Sequence, residues 1–548
     1  MSDRPRGART GRQAWLPGQY RQPRQTQPIP TQPGLPSQPI PVKPATAPTK
    51  PPQGTKPAQP RPRRRPTVRG EAPTETLPML GSLRGTPYRD PRVTRAVAEE
   101  HAVAEVIDVC LRVGELMLRS GAGAPSVEAA VIGVAVAAGV DEMDIDLTMQ
   151  SLHIQARTPS GSSISRLRVV RAPQMDFGRL ASVHSLVDDV ISGETSIDQA
   201  RVRLQEIRRA PRTWARWIVT TSQGAVAAGV AMALGAGWVG VLVALLTAIV
   251  VDRVLRALSA VHLPDFYTGA IGGAVATVVA FVAYALGSLE WFPMTPSDFA
   301  YVVAGGIVML LPARTITSAM EDIIGGYPVT GTARLFAVLL HSFGLIVGVA
   351  AGLTASLAVV EMLGVVLSPP DVGRLAWASA SPQTVLIGSA IVGAAGAITV
   401  QARRRMLVPA ALLGVVAVGL ASYLTQSGLG RVTATGIAAV TLGFAARLVA
   451  LRMDSPPITL GIPASFGLMP GLSIFIGLYH LTVPGSDAGG QGWTSVLTAL
   501  GIILAIATGV TLGEVLAAPL DSPVNQRRRL AGVRDTRDDP SGATHPGT

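Results

Sequence analysis

Two kinds of hydrophobic pattern divide the chain. Between residues 93 and 210 apolar positions recur with the periods of short amphipathic elements. Val103, Val106, Ile107, Cys110, Leu111, Gly114, Met117 and Leu118 follow helical spacing and predict a helix with one buried face, ended by the turn Ser120-Gly121-Ala122-Gly123. A second helix is expected over 126–138, closed by Gly139. The run from Met143 to Met149 alternates apolar and polar residues, as does Leu152-His153-Ile154-Gln155-Ala156, and Leu167-Arg168-Val169 offers a third strand. Two helices follow, near 177–191 and 196–209. The order ααβββαα predicts a small α+β domain whose antiparallel sheet is covered on one face.

From 213 to 520 the pattern changes to long apolar stretches. Ten of them approach the length that crosses a hydrocarbon core of ~30 Å. They are 214–235, 238–257, 266–288, 299–312, 334–360, 383–401, 406–424, 432–451, 459–480 and 493–518. The fourth is short and is expected to continue past Pro312 as a second, more polar half-helix. Gly and Ala dominate these stretches, as expected where helix backbones approach closely without a hydrophobic drive between them.

Charge orients the spans. With the α+β domain on the cytoplasmic side, the inner loops receive Arg253, Arg256, Arg314, Arg334, Arg403, Arg404, Arg405, Arg447 and Arg452, and the outer loops only Arg374 and Arg431. This is a positive-inside asymmetry. It predicts a multi-pass membrane protein with both termini cytoplasmic.

The stretches also repeat. The fourth carries Gly305-Gly306-Ile307-Val308-Met309-Leu310-Leu311-Pro312-Ala313, and the ninth carries Gly461-Ile462-Pro463-Ala464-Ser465-Phe466-Gly467-Leu468-Met469-Pro470-Gly471. Each is the fourth member of a set of five, over 213–360 and 383–520. Five is odd, so a structural copy must be inverted in the bilayer, an arrangement known from transporters with interrupted helices and midplane sites. The fold class expected is therefore a polytopic α-helical membrane protein with about ten transmembrane helices in two inverted five-helix repeats.

Composition agrees with this division. Of 548 residues, 48% are hydrophobic and 15% charged, against about 25% charged in an ordinary soluble domain. The net charge of +12 is confined to one end: residues 1–70 hold 14 Lys and Arg and a single acid, Asp3. The folded part is near neutral, which argues against a nucleic-acid partner. Residues 1–92 contain 21 of the 43 prolines and read as a disordered tail without a signal-peptide h-region. Its run Arg61-Pro62-Arg63-Arg64-Arg65 is a candidate contact for anionic lipid. A second disordered tail is expected over 521–548. One cysteine, Cys110, excludes an internal disulfide framework and a cysteine-cluster metal site. No G-x-x-x-x-G-K-[ST] motif is present, so an ATP-driven pump in one chain is not expected.

The motifs Ser120-Gly121-Ala122, Val127-Glu128 and Gly139-Val140, with the alternating strand after them, resemble the N-terminal domain of the bacterial threonine/serine exporter family. Leu311-Pro312, Thr317, Ala319, Asp322, Gly325-Gly326, Gly331 and Ala333-Arg334 resemble its membrane half, as does Leu468-Met469-Pro470-Gly471. The resemblance covers about residues 95–520. Two positions depart from the family's pattern: Ala313 stands where a glycine is usual, and Ser126 where a basic residue is usual. The resemblance implies export of threonine and serine across the cytoplasmic membrane, driven by the proton motive force.

Such a substrate offers a carboxylate, an ammonium and a hydroxyl. Amide ends at a broken helix suit the carboxylate, an acidic side chain suits the ammonium, and a titrating intramembrane carboxylate suits proton coupling. The substrate-binding candidates are Gln223, Pro312, Thr315, Thr317, Ser318, Asp322, Pro470 and Gly471. Thr315, Ser318 and Asp322 share one helical face. Asp322, Glu514 and Glu321 are the proton-coupling candidates. Asp252 reads as a local pair with Arg253, and His341 as a packing histidine or a proton relay. Asp141, Glu142, Asp144 and Asp146 read as a solvated strand face rather than a metal site, and no cofactor is expected. A membrane-anchored metabolite sensor and a membrane-associated hydrolase are the alternatives.

Overall fold

The computed structural model describes residues 91–148, 150–170, 175–261, 263–289, 291–364, 380–482 and 489–520. Most of the tail expected over 1–92, the tail expected over 521–548, and Met149 of the first strand lie outside these residues.

The chain opens with helix α1 (Pro91–Ser120), whose residues Val103, Val106, Ile107, Cys110, Leu111, Met117 and Leu118 are buried as the periodicity predicts. Gly121 takes a φ of +103°, and the Ala122 N–H reaches back to the Met117 carbonyl at 3.0 Å. Only glycine adopts this turn without strain, so the helix stops there. Helix α2 (Ala124–Ala137) begins two residues earlier than expected and ends before Gly139, at φ +78°.

Strands β1 (Met143–Leu147), β2 (Ser151–Arg157) and β3 (Ser163–Val169) form an antiparallel sheet in that order. Ile145 pairs with Ile154 and Leu147 with Leu152. The third strand starts four residues before the expected one. Leu152, Ile154 and Ala156 are buried, and α1 packs against β2 and β3 on that side. Helices α3 (Phe177–Ile191) and α4 (Ile197–Arg209) complete the layer. Asp176 caps the first through the Arg179 N–H at 2.9 Å, and Ser196 with Gln199 closes a capping box on the second.

The apolar part contains α5 (Arg216–Leu234), α6 (Trp238–Leu258), α7 (Asp265–Ser288), α8 (Pro296–Val308), α9 (Ala313–Ile324), α10 (Pro328–Met362), α11 (Pro382–Thr399), α12 (Leu407–Gln426), α13 (Arg431–Arg452), α14 (Ile458–Ser465), α15 (Gly471–Thr482) and α16 (Gly489–Ala517). Among the described residues eight helices are long and apolar enough to span a membrane, or nine if the bent pair 458–468 and 471–482 counts as one span. The protein is thus a polytopic membrane protein. The fourth expected span, 299–312, is where the structure departs from the count. It is two helices, α8 of 13 residues and α9 of 12, because Pro312 supplies no N–H and crowds the preceding turn. About 12–13 helical residues rise less than 20 Å.

Backbones approach where glycine permits it. A Cβ on Gly344 would strike the carbonyl of Phe266, and one on Gly348 that of Ala270, so α10 lies directly on α7. A Cβ on Gly443 would strike the carbonyl of Val510, and one on Gly513 that of Val440, so α16 lies directly on α13. These are the third and fifth helices of each set. The first helix of each set packs on its second and on its broken fourth, and the two sets meet through α5 with α11, α8 with α15, α9 with α16, and α10 with α15.

Candidate functional site

The break between α8 and α9 opens a cavity. The chain leaves α8 through tight turns, with Leu310 N–H on the Ile307 carbonyl at 2.9 Å and Leu311 N–H on the Val308 carbonyl at 3.3 Å. It re-enters a helix once the Ile316 N–H finds the Pro312 carbonyl at 3.1 Å. The space beside this break measures about 320 Å³ and is lined by Gln223, Leu311, Pro312, Thr315, His341 and Phe466 among others. This is the size of a small-ligand pocket. His341 holds one wall: its Nδ1 lies 3.0 Å from the Asp265 carbonyl and its Nε2 2.9 Å from the Leu310 carbonyl at the break. Gln223 Oε1 is buried and accepts no hydrogen bond among the described residues. A buried acceptor left without a donor costs free energy unless a ligand or water completes it.

Three of the eight expected substrate ligands, Gln223, Pro312 and Thr315, therefore meet at one cavity. Thr317 and Ser318 are buried on α9 and do not line it. Pro470 and Gly471 do not line it either; a Cβ on Gly471 would lie 2.7 Å from the Ala304 carbonyl, so the start of α15 sits against α8. The ring of Phe299 on α8 meets that of Phe475 on α15 edge-on, 5.5 Å between centroids.

Asp322 faces the opposite way. Its Oδ1 accepts the Ala124 N–H at 2.7 Å, at the first turn of α2, and its Oδ2 lies 2.7 Å from Arg334 Nη1. Asp322 is fully buried, and Arg334 is 12% exposed. A carboxylate at a helix N-terminus is favoured by the unpaired N–H groups there. Beside it, Ser126 donates to Glu321 at 3.0 Å, and Pro125 covers Gly325. The Tyr327 phenol is pushed up by burial and by its hydrogen bond to Glu128. The α9–α10 corner is thus bound to α2.

A second attachment joins the α+β layer to the end of α11. Phe177 N–H donates to the Val400 carbonyl and Gly178 N–H to the Gln401 carbonyl, both at 3.0 Å. Gln401 adopts φ +60°, and its side-chain Oε1 takes the Trp214 N–H at 2.9 Å. Arg403 donates to Ser182 at 3.1 Å. Burial lowers the Arg403 guanidinium, and neighbouring Arg405 adds to this.

Between these attachments lies a larger cavity of about 480 Å³. Its walls come from α2 and α3 on one side and from α9, α13 and α16 on the other. Glu321 and Glu514, two of the three expected proton carriers, both line it, with Arg447. Arg447 Nη1 donates to the Glu514 backbone carbonyl at 3.0 Å.

Asp252 pairs with Arg256 at 2.8 Å rather than with adjacent Arg253, because the i,i+4 partner lies on its own helix face. Thr220 also donates to it, at 2.8 Å. Sequence reading passed over Gln401 and Asp298. Asp298 closes a capping box with Thr295 and accepts the Gly237 N–H at 2.8 Å. The Thr-Pro-Ser-Asp run that opens α8 carried that signal. No comparable signal marked Gln401, whose strained φ is set by its contacts. Among the described residues no group of three His, Cys, Asp or Glu side chains is placed to hold a metal ion.

The family model described as "Putative threonine/serine exporter" matches residues 108–355, and the one described as "Threonine/Serine exporter, ThrE" matches residues 385–516. A protein of Mycobacterium tuberculosis named "Probable threonine/serine exporter" is 31% identical over 451 residues, 81% of this chain and 81% of its own length. The "Threonine/serine exporter" of Corynebacterium glutamicum is 28% identical over 459 residues, 83% of this chain and 90% of its own length. The "Pheromone-regulated membrane protein 10" of Debaryomyces hansenii is 23% identical over 193 residues, 34% of this chain and 18% of its own length. No solved structure matches the chain.

Proposed function

This chain belongs to the threonine/serine exporter family, and from that premise we propose that it exports threonine and serine across the cytoplasmic membrane in exchange for protons. The family is one of membrane transporters, not of enzymes. The observation that carries the reading is the cavity at the α8–α9 break, where a buried, unsatisfied Gln223 Oε1 faces a helix interruption. The Gln223 amide and the Thr315 hydroxyl suit a substrate hydroxyl or ammonium, and polar backbone freed at Pro312 suits the remaining charge.

The two sets of five helices act as inverted repeats in this proposal. Matching helix contacts within each set, and breaks at the same fourth helix, support it. Export then proceeds by rocking one set against the other around the break. The arginine-rich ends of the helices face the cytoplasm, and the α+β layer sits on that side. Arg334, Arg403 and Arg447 all lie where that layer meets the helices, which supports the assignment. Proton coupling falls to the carboxylates at this interface. Glu514 is favoured over Asp322, which is already committed to Arg334 and Ala124.

Purified protein in liposomes tests the reading. An inward proton gradient should drive counterflow of labelled threonine, and collapse of the gradient should remove the drive. Liposomes that move neither threonine nor serine under the gradient defeat it.

A further inference from the structure

A cavity of about 320 Å³ in the α+β layer plays no part in the proposed transport site. It is lined by Leu116, Arg119, Ser120, Arg179 and Arg208. Three helices bring the arginines together: Arg119 from the last turn of α1, Arg179 from the first turn of α3 and Arg208 from the last turn of α4. A helix C-terminus favours a cation, which accounts for Arg119 and Arg208 one at a time. It does not account for three guanidinium groups around one space. Like charges gathered in this way repel one another, and an anion placed between them removes that cost.

Their partners in the chain leave most of this charge unanswered. Arg179 Nη2 donates to the Ala210 carbonyl at 3.1 Å and lies 3.8 Å from Asp176 Oδ2, while its Nε and Nη1 donors are not engaged by these contacts. Arg119 and Arg208 have no hydrogen-bond or ion-pair partner among the described residues. Among those residues no acid lines the cavity.

The cavity stands where the layer meets the membrane helices. The Gly178 N–H, one residue from Arg179, bonds the Gln401 carbonyl just past the end of α11. The chain from Arg208 onward carries Arg209 and Arg212 and enters α5, the first spanning helix, at Arg216. Ala210 is six residues from Arg216, a reach of at most about 22 Å of extended chain. Trp217, 65% exposed on the first turn of α5, is placed as an aromatic anchor at the membrane interface.

We propose that this cavity binds a phosphate group, that of an anionic phospholipid headgroup, with Arg119, Arg179 and Arg208 as its ligands. The planar fork of guanidinium N–H donors matches a pair of phosphate oxygens. A basic cluster beside the start of a spanning helix lies where an anionic leaflet concentrates such groups. A lipid held there fixes the ends of α1, α3 and α4 against the bilayer surface. The site does not depend on the exporter reading. A soluble phosphate monoester offers the same chemistry, and the test separates the two sources.

The test is native mass spectrometry of the full chain in detergent, titrated with phosphatidylglycerol, with phosphatidylcholine and with glycerol 3-phosphate as competitor. The unaltered protein should hold phosphatidylglycerol about tenfold more tightly than phosphatidylcholine, and the preference should shrink as salt rises. Arg119→Gln with Arg208→Gln should remove that preference. Arg157→Gln with Arg166→Gln takes the same charge from exposed positions of β2 and β3 and should leave it unchanged. If the first pair fails to fold, Arg208→Glu, at an exposed position, carries the test and should also remove the preference. A preference kept in folded Arg119→Gln with Arg208→Gln, or lost equally in the strand pair, overturns the site. Displacement of phosphatidylglycerol by an equal concentration of glycerol 3-phosphate overturns the lipid as its source and assigns the same arginines to a soluble phosphate monoester.

Discussion

The Asp322 carboxylate accepts the backbone N–H of Ala124 at 2.7 Å across 198 residues of sequence, while Arg334 holds its other oxygen at 2.7 Å. One side chain thus caps a helix of the α+β layer and closes an ion pair inside the membrane part. The two attachments of that layer, to the α9–α10 corner and to the end of α11, reach both sets of helices. Any rocking of one set against the other must strain or release one of them.

Loss of the Asp322 carboxylate should therefore act first on stability. Asp322→Ala leaves Arg334 nearly buried without its anion, and breaking such a pair typically costs about 3–5 kcal/mol. Thermal unfolding in detergent should show a large drop in midpoint. Joint replacement, Asp322→Leu with Arg334→Met, should recover part of it, because no unpaired charge then stays buried. A midpoint unchanged in Asp322→Ala would show that the pair does not hold the corner.

Gln223 should show the opposite balance. Gln223→Leu removes an unsatisfied buried acceptor, a relief of about 1–3 kcal/mol, so the unfolding midpoint should hold or rise. Threonine transport should nevertheless fall at least tenfold, chiefly through a higher KM. Normal transport by this variant would remove Gln223 from the substrate site.

The helix crossings make a sharp contrast between glycines. Gly348→Val puts a branched side chain against the Ala270 carbonyl, backbone that cannot step aside, and should abolish accumulation of folded protein in the membrane. Gly419→Val meets only the Leu386 side chain, at 3.5 Å, and should be tolerated. Detergent-extracted yield and gel-filtration profile read both outcomes.

Cys110 is buried and its thiol is pushed up to about 12, chiefly by loss of solvation. The reactive thiolate is therefore scarce at every pH below that value. Maleimide at pH 7–8 should leave the native protein unlabelled and modify Cys110 only after denaturation. This background makes single-cysteine variants at the Ser126–Glu321 contact practical. Rapid labelling of the native protein would mean that α1 opens readily.

Much of the architecture was legible before the fold. Local patterns carry it: period 3.6 in α1, strict alternation in β1 and β2, apolar length in the spans, and Pro312 at the break, where the missing N–H is a property of the residue itself. The buried face of α1 follows from spacing alone because burial there repeats along one helix. The same reading separated α8 from α9 only in part, since it had no means of judging whether two short helices make one span.

The roles of the carboxylates were beyond it. Asp322, Glu321 and Glu514 are alike as acids near apolar sequence, and Asp322 looked the best placed for a substrate. What distinguishes them is who stands opposite: Ala124 and Arg334 for the first, Ser126 for the second, and for Glu514 an open cavity. Sequence determined which residues lie in apolar helices and where those helices break, because these are properties of neighbours along the chain. Tertiary structure alone decided which charge is satisfied, because a buried carboxylate's partners come from segments up to nearly two hundred residues away.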